Sequence, residues 1–501
     1  MKRTYSLLSL SCLALFGSCS PDKAEKTPPN VIFILADDLG WMDLGCYGSS
    51  FYETPNLDQL AREGVRFTNA YAACPVSSPT RVSIQTGRYP GRVHVTDWIP
   101  GKYAYTKDLM QKICPVLPPD YNYNMPLEEV TIAEAMKEGG YKTIHVGKWH
   151  CCADSAYYPQ DQGYDVNIGG CNMGSPRGDG YYFSPYNNPM LPDGPEGEYL
   201  TDRLGDECVK QIRENKDKPF FINMDFYQVH TPLMAKEEQI RYFQAKYDRM
   251  RLDTLKTFIE HPDYVDKQPF PAKLFKERIV QSNVVYAAMI ASMDENIGKI
   301  IKELKDQGLY KNTIIMFMSD NGGLSTSEGS ATSNLPLRGG KGHMYEGGIR
   351  EPFIVYGPGV KGKGWVTDAV ITSTDFYPTI LEMTGLPAKP EQHLDGKSFA
   401  SVLKGEEGFD RGSVFWHYPH YPNQGGRPSG AIRSGNYKLI EFYDNGEVEL
   451  YDLSKDIGEK HDLAKEQPEL ANKLKVEFNQ WCKDVNASMP TKNPAFHPSV
   501  D

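Results

Sequence analysis

Short apolar runs alternate with amphipathic segments along most of the chain. The runs that predict buried strands lie at residues 31–36, 143–146, 220–224, 313–318 and 352–356. Segments with helical periodicity lie at residues 56–63, 132–138, 282–304 and 375–384. Continuous apolar strands alternating with helices are typical of an α/β protein. The pattern therefore predicts a mainly parallel sheet that is covered by helices on both faces.

The pattern changes after about residue 405. Residues 431–433, 437–440 and 448–451 form short alternating runs, and the turn sequence Asp444-Asn445-Gly446 precedes the last of them. Such runs favour antiparallel hairpins, and a helical segment at 468–485 follows. We expect a main domain over residues 30–405 and a smaller α+β subdomain over residues 406–501.

The N-terminus has the pattern of an export signal. Lys2 and Arg3 precede an apolar stretch at residues 7–16, which is shorter than the roughly 20 residues of a transmembrane helix. Gly17-Ser18-Cys19 resembles a bacterial lipoprotein signal. We expect a signal peptide over residues 1–18, lipidation of Cys19, a linker over residues 19–29, and a bacterial protein located in the periplasm or on the outer membrane.

Composition narrows the class of protein. The chain has 501 residues, of which 40% are hydrophobic and 24% charged, which excludes a disordered, collagenous or multi-span membrane protein. Its 54 basic and 65 acidic residues give a net charge of −11, so no nucleic-acid partner is expected. An anionic ligand would need a locally basic site. The ten cysteines lack zinc spacing, and one or two disulfide bonds remain open.

Polar residues follow two of the predicted strands directly. Asp37 and Asp38 follow the first strand, and Asp320 and Asn321 follow the strand at 313–318. Because ligands bind at the carboxyl ends of parallel strands, these side chains are expected to converge. Their oxygen atoms suit a hard cation, calcium or magnesium, better than zinc.

Basic residues occur near the same predicted sheet edge. Lys148 and His150 follow the strand at 143–146, His230 lies six residues after the strand at 220–224, and Lys341 lies in a glycine-rich loop. Together they would supply the positive charge that an anion requires. Taken alone, each of them is better explained as a solvated surface residue or a satisfied core residue than as a ligand-binding residue.

A short helix is predicted at residues 79–86. Pro79 suits its first position and Gly87 its end, so its N-terminus would point at a surface-exposed Ser77. Free amide groups there would face an anion. Ser77 is placed as a nucleophile would be, although a plain helix cap fits the local pattern equally well.

These residues resemble the sulfatase family of the alkaline-phosphatase-like superfamily. The family signature is matched by Ser77, Pro79, Arg81, Thr86 and Gly87, with Thr80 replacing serine and Gln85 replacing leucine. The resemblance continues through residues 147–150, 320–322, 339–350 and 450–453. It implies an alkaline-phosphatase-like fold and a sulfuric ester hydrolase.

The resemblance also implies a set of roles. Ser77 would be oxidised to formylglycine by a serine-accepting, anaerobic-type maturing enzyme, and its gem-diol would attack sulfur to give a sulfo-enzyme. One calcium ion would be held by Asp37, Asp38, Asp320, Asn321 and the modified Ser77. Further implied roles are gem-diol binding by Arg81 and Lys148, sulfate and leaving-oxygen contacts by Lys341 and His230, and proton uptake from the second hydroxyl by His150.

Aromatic and polar residues beyond this set suggest a sulfated carbohydrate that is attacked at a chain end, with galactose or N-acetylgalactosamine sulfates preferred. The predicted sugar-binding residues are Trp98, Asn172, His417 and His420. Two alternatives remain: a phosphodiesterase or phosphonate hydrolase with the same metal site, and a non-catalytic glycan-binding lipoprotein.

Overall fold

The computed structural model describes residues 27–100, 107–260, 262–265, 269 and 275–497. The predicted signal peptide at residues 1–18 and the predicted lipid-bearing Cys19 lie outside these ranges. No helix within them is sufficiently long and apolar to cross a membrane. All eight cysteines in the same ranges are free thiols.

Sixteen strands are present in the described part of the chain. They are β1 (Asn30–Ala36), β2 (Val65–Tyr71), β3 (Val116–Leu117), β4 (Lys142–Gly147), β5 (Val166–Ile168), β6 (Phe220–Asp225), β7 (Phe258–Glu260), β8 (Lys276–Arg278), β9 (Thr313–Ser319), β10 (Arg350–Tyr356), β11 (Trp365–Thr372), β12 (Val414–Tyr418), β13 (Ser429–Ser434), β14 (Tyr437–Phe442), β15 (Val448–Asp452) and β16 (Thr491–Lys492).

Twelve α-helices accompany these strands over the same ranges. They are α1 (Pro55–Glu63), α2 (Ser77–Thr86), α3 (Pro90–Val93), α4 (Lys107–Ile113), α5 (Ile132–Glu138), α6 (Leu200–Glu214), α7 (Glu237–Arg249), α8 (Val284–Asp306), α9 (Glu346–Ile349), α10 (Phe376–Thr384), α11 (Ala400–Lys404) and α12 (Pro468–Asp484).

The main sheet has eight strands in the order β11-β2-β10-β9-β1-β6-β4-β5. Every neighbouring pair is parallel except the two pairs that β10 makes with β2 and β9. Alternate residues of β1 enter different hydrophobic clusters: Ile32 and Ile34 face one, and Val31 and Phe33 face the other. Both faces of the sheet are thus covered. The predicted α/β class is confirmed.

Strand register brings the site residues to one edge. In the pairing of β1, Ala36 lies opposite Ser319 of β9 and Leu35 lies opposite Asp225 of β6. Asp37, Asp225 and Asp320 therefore leave the sheet side by side.

A second sheet lies toward the C-terminus. Strands β12, β13, β14 and β15 form an antiparallel sheet in chain order, as the hairpin pattern predicts. Helix α12 packs on it through Leu474, Phe478 and Trp481. The division at residue 405 stays a prediction.

A buried charge network joins the two sheets. Nζ of Lys438 on β14 lies 3.0 Å from Glu346 and 2.9 Å from Glu459, and all three side chains are inaccessible to solvent. Glu346 also accepts a 2.7 Å hydrogen bond from the hydroxyl of Tyr71 on β2. Burial alone would raise the pKa of Glu346, but Lys438 and Arg350 outweigh it and lower that pKa to about 2. Burial raises the pKa of Glu459 to about 7, although Lys438 partly offsets it. The network thus holds the second sheet against the first with ionisable groups that have no access to water.

Removal of the shared cation should destabilise the protein strongly. Lys438→Ala leaves Glu459 without its cationic partner and Glu346 with Arg350 alone, and we expect the free energy of unfolding to fall by about 3–5 kcal/mol. Chemical denaturation measures this change. Lys455→Ala, which removes an exposed ammonium group paired with Asp452, is the control and should leave stability nearly unchanged. A loss for Lys438→Ala no larger than that of the control would contradict the assignment.

Candidate active site

A cavity of about 200 Å³ opens above the strand ends. Its walls come from distant segments of the chain, including the loop after β6, the loop after β9 and the segment between β12 and β13. The lining residues are Val76, Ser77, Trp98, His150, Gly174, Ser175, Arg177, His230, Glu328, Lys341, Asn423 and Gln424. Four of the residues predicted as catalytic lie on this wall, namely Ser77, His150, His230 and Lys341.

Three buried carboxylates lie beneath the cavity. Asp37, Asp38 and Asp320 are each 1% exposed or less. The backbone amide of Asp38 donates to Oδ1 of Asp320 at 3.2 Å, and Nδ2 of Asn321 donates to Oδ1 of Asp38 at 2.8 Å. The structure thus brings the four predicted oxygen-bearing residues together.

Each carboxylate has a cationic partner. Nζ of Lys148 lies 2.6 Å from Asp37, Nε of Arg81 lies 2.9 Å from Asp320, and Nζ of Lys341 lies 2.8 Å from Asp38. Lys148 follows Gly147, whose φ is +100°. A Cβ at Gly147 would lie 1.9 Å from the carbonyl oxygen of Asp225, so the close approach of β4 to β6 here requires glycine.

Burial and pairing compete in setting the pKa values of these groups. Burial raises the pKa of Asp37, and the attraction of Lys148 only partly offsets it. For Asp38 burial is outweighed by Lys341 and His230, and the pKa is lowered. The pKa of Asp320 is also lowered, because Arg81 and Lys148 outweigh burial. At least two of the three side chains are therefore held as carboxylates.

Ser77 lies at the start of α2 rather than ahead of it. The helix begins at Ser77, two residues earlier than predicted, and Pro79 is accommodated because amides in the first helical turn need no carbonyl partner. Ser77 is buried, which corrects the expectation of an exposed hydroxyl. Its Oγ lies 3.2 Å from Oδ1 of Asp37, 3.3 Å from Oδ1 of Asn321 and 3.4 Å from Nζ of Lys148.

Two histidines on the cavity wall differ in their partners. Nε2 of His150 lies 2.6 Å from the carbonyl oxygen of Ile99, while its Nδ1 has no partner. Burial and the nearby Lys148 hold the pKa of His150 well below its usual value, so the ring is neutral. Nε2 of His230 lies 3.2 Å from Nζ of Lys341, and its Nδ1 lies 2.8 Å from the carbonyl oxygen of Thr231.

The donor set fits a hard divalent cation. Oγ of Ser77 lies 3.2 Å from Oδ1 of Asp37 and 3.3 Å from Oδ1 of Asn321. Ligand atoms of Asp37, Asp38 and His230 also lie within 4.8 Å of one another. Asp320, a predicted ligand, is adjacent but engaged by Arg81. A divalent ion would leave the cluster of three acids and three bases with a net positive charge, as binding of an anion requires.

Comparisons with known proteins agree with this geometry. The family model described as Sulfatase matches residues 29–386, and the model described as N-sulphoglucosamine sulphohydrolase, C-terminal, matches residues 340–484. The chain belongs to the sulfatase family. It is a sulfuric ester hydrolase. The family thus supplies the chemical class of reaction.

Two curated relatives of this sulfatase resemble it over most of its length. A protein described as Sulfatase from Formosa agariphila is 30% identical, with 96% of this chain and 93% of the relative covered. Arylsulfatase A from Homo sapiens is 31% identical, with 90% and 87% covered. Among solved structures, Ps i-CgsB in complex with k-i-k-neocarrahexaose has a TM-score of 0.72 at 27% identity and covers 95% of this chain and 96% of its own.

The predicted sugar-binding residues of the sulfatase do not lie together. Trp98 lines the cavity, whereas Asn172 is exposed and does not line it. His417 is buried, with Nδ1 2.8 Å from the Tyr443 hydroxyl and Nε2 3.0 Å from the carbonyl oxygen of Ser488. His420 is also buried, and its Nε2 lies 2.9 Å from Oγ1 of Thr96.

Both histidines therefore lie away from the cavity wall. Burial lowers the pKa of His417 to about 4 and that of His420 to about 3, so both rings are neutral. These neutral rings form hydrogen bonds within the protein, and they take no part in the substrate contacts proposed below. The proline-containing turn beside His417 and His420 suggested that these residues would be poor core residues, but both side chains are buried.

Asp225 was missed by the sequence analysis although the same signal marks it. It is the last residue of β6 and directly follows the predicted strand at 220–224. Its Oδ2 lies 3.4 Å from Nη1 of Arg81, and Nδ2 of Asn223 donates to it at 2.8 Å. Arg81 is thereby held between two strand-end carboxylates. Arg177 and Glu328 also line the cavity and were also missed. Neither residue directly follows a predicted strand, so the pattern that identified the other site residues did not apply to them.

The buried carboxyl of Asp97 should make the stability of the protein depend on pH. Burial raises its pKa to about 7, although the Tyr418 hydroxyl donates to it at 2.9 Å. Since the folded pKa exceeds the unfolded value near 3.9, the folded state binds the proton more tightly. The stability that this proton contributes is full below pH 3.9 and is lost as pH rises through about 7.

The free energy of unfolding of the wild type should therefore fall between pH 5 and pH 8 as Asp97 loses its proton. We expect this fall to be smaller by roughly 1–3 kcal/mol in Asp97→Asn, which has no carboxyl group to titrate. Urea unfolding at the two pH values measures this difference. Asp217→Asn, on the exposed surface, serves as the control and should follow the wild type. If the Asp97 variant follows the wild type as well, the carboxyl of Asp97 titrates normally in the folded protein.

Proposed function

We propose that this sulfatase hydrolyses sulfate esters of carbohydrates at the cavity above β1, with residue 77 as the nucleophile after oxidation of serine to formylglycine. The observation that carries the proposal is the position of Ser77: its Oγ contacts Asp37, Asn321 and Lys148 at the helix start on the cavity floor. In the family route described above, the hydrated formylglycine supplies the hydroxyl that accepts the sulfuryl group. The modifying enzyme would be of the type that accepts serine.

Side chains of the chain itself would then carry out binding and proton transfer. Lys148 and Arg81 neutralise charge around residue 77, since both lie among the carboxylates beneath it. Lys341 donates to Nε2 of His230, and this pair would deliver a proton to the departing oxygen. Nδ1 of His150, left as an acceptor by the contact of Nε2 with Ile99, would take the proton of the remaining hydroxyl.

A calcium ion would complete the site. Asp37, Asp38, Asp320, Asn321 and modified Ser77 would hold it, because hard oxygen ligands suit calcium. When bound, the ion would offset negative charge on the sulfate group. A ring nitrogen of His230 lies within 4.8 Å of carboxylate oxygens of Asp37 and Asp38. His230 remains assigned to the departing oxygen because its Nε2 already faces Lys341.

A carbohydrate ester is supported by the cavity wall and by relatives. Trp98 offers an aromatic face of the kind that packs against sugar rings. A relative from Rattus norvegicus that is 30% identical over 86% of this chain is named N-acetylgalactosamine-6-sulfatase. The structural relative Ps i-CgsB carries a neocarrahexaose. With the N-terminal pattern, these points favour an exported bacterial enzyme that removes sulfate from galactose-type sugars at a chain end.

Substitution of Ser77 tests the nucleophile. Ser77→Ala should lower turnover of 4-nitrophenyl sulfate by roughly a thousandfold or more, because no oxidisable side chain remains. The folded state should lose only about 1 kcal/mol, the value of a hydrogen bond. Ser83→Ala, on the same helix but away from the cavity, is the control and should retain turnover. Hydrolysis by Ser77→Ala at the rate of this control would refute the assignment.

Substitution of Asp320 tests the metal site. Asp320→Ala removes a predicted ligand and the main partner of Arg81, so we expect loss of bound calcium together with activity. Elemental analysis of purified protein measures the metal content. Asp294→Asn is the control and should retain the ion; Asp294 lies on α8, and its buried carboxyl accepts a hydrogen bond from the amide of Leu57 at the start of α1. Full calcium occupancy in Asp320→Ala would remove Asp320 from the ligand set.

A further inference from the structure

Glu328 is an acidic residue on the wall of a cavity that we assign to an anionic substrate. It follows β9 in the loop that leads to Lys341. Its φ is +51° and that of Gly329 is +92°, and the left-handed region is uncommon for glutamate. The backbone therefore turns sharply at the point where this side chain lines the cavity.

Three donors from two other segments hold the carboxylate. Nδ2 of Asn423 and Nε2 of Gln424 each donate to Oε1 at 2.8 Å. Oγ1 of Thr231 donates to Oε2 at 3.2 Å, and Thr231 directly follows His230. Glu328 is thus fixed beside the His230–Lys341 pair that we assign to the departing oxygen, at the end of the cavity where the alcohol part of the ester would lie.

The carboxylate is kept ionised. Glu328 is exposed on the cavity wall, and only partly desolvated by its neighbours. This desolvation would raise its pKa, but Lys341 and His230 outweigh it and lower the pKa. An ionised carboxylate is an acceptor only, with about four acceptor directions. Two of the three donors named above use Oε1 and one uses Oε2, so Oε2 has capacity for another donor.

An ionised carboxylate here disfavours a bare anion and favours a substrate that brings a hydrogen-bond donor. We propose that Glu328 determines specificity by accepting a hydrogen bond from a free hydroxyl of the sugar that lies close to the sulfate ester. The substrate class that meets this requirement is a sugar sulfate with an unsubstituted neighbouring hydroxyl. A second sulfate or a carboxylate at that place would be repelled. This inference rests on the proposed function and adds to it a residue that separates sugar sulfates from simple aryl sulfates.

The test compares two substrates in one variant. Glu328→Gln keeps the size of the side chain and an acceptor for Asn423 and Gln424 but removes the charge. The probes are the best substrate among 4- and 6-sulfates of galactose and N-acetylgalactosamine, and 4-nitrophenyl sulfate, which has no hydroxyl. We expect kcat/KM for the sugar sulfate to fall roughly 10- to 100-fold, as for loss of a charged hydrogen bond. For the aryl sulfate kcat/KM should rise a few-fold, because a like charge is removed.

The deciding quantity is the ratio of kcat/KM for the sugar sulfate to that for the aryl sulfate. A fall of tenfold or more in Glu328→Gln relative to the wild type supports the inference. A smaller change, including an equal loss on both substrates, overturns it and assigns Glu328 to holding the loop of Asn423 and Gln424. Glu407→Gln, an exposed carboxylate outside the cavity, is the matched control and should leave the ratio unchanged.

The same assays distinguish failure of the proposed function from failure of this inference. A wild-type enzyme that cleaves the aryl sulfate but none of the sugar sulfates removes both the carbohydrate assignment and this inference. A wild-type enzyme with modified residue 77 that cleaves neither class removes the proposed function itself. Cleavage of both classes with an unchanged ratio in Glu328→Gln removes the inference alone.

Discussion

Burial of Asp37, Asp38 and Asp320 side by side is tolerated because Arg81, Lys148 and Lys341 are buried with them. A single unpaired charge in such a place would be strongly unfavourable, and three like charges together more so. Each carboxylate here has a cation within 2.9 Å. The cluster is close to neutral, so a bound divalent ion would make it positive. An acidic protein with a net charge of −11 can in this way present a locally positive site to an anion.

The fold explains why these groups meet. The carboxylates follow β1 and β9, which are neighbours in the sheet, while Lys148 follows β4 on the other side of β6. Arg81 comes from α2, and Lys341 from the glycine-rich loop before α9. The second sheet contributes Asn423 and Gln424 to the cavity wall. The buried contact of Lys438 with Glu346 and Glu459 anchors that sheet and so supports the wall indirectly.

Much of this arrangement follows from local sequence patterns. Continuous apolar runs predicted β1 and β9, and the polar residues directly after them marked the sheet edge at which the acidic cluster lies. The reversed direction of β10 had no local signal, because its run of apolar residues resembles a parallel strand. The start of α2 at Ser77 was misjudged by two residues because proline is tolerated throughout the first helical turn. The inward position of His417 and His420 depends on partners such as Tyr443 and Thr96, which are distant in sequence. Glu328 likewise acquires its place only when three chain segments fold together.

The central claim is that residue 77 acts as formylglycine. Mass spectrometry of the peptide that contains residue 77, from enzyme purified in active form from its native host, tests it most directly. The account predicts a peptide lighter than the serine form by the mass of two hydrogen atoms and reactive toward aldehyde probes. An unmodified serine throughout a preparation that turns over sulfate esters at full rate would contradict it.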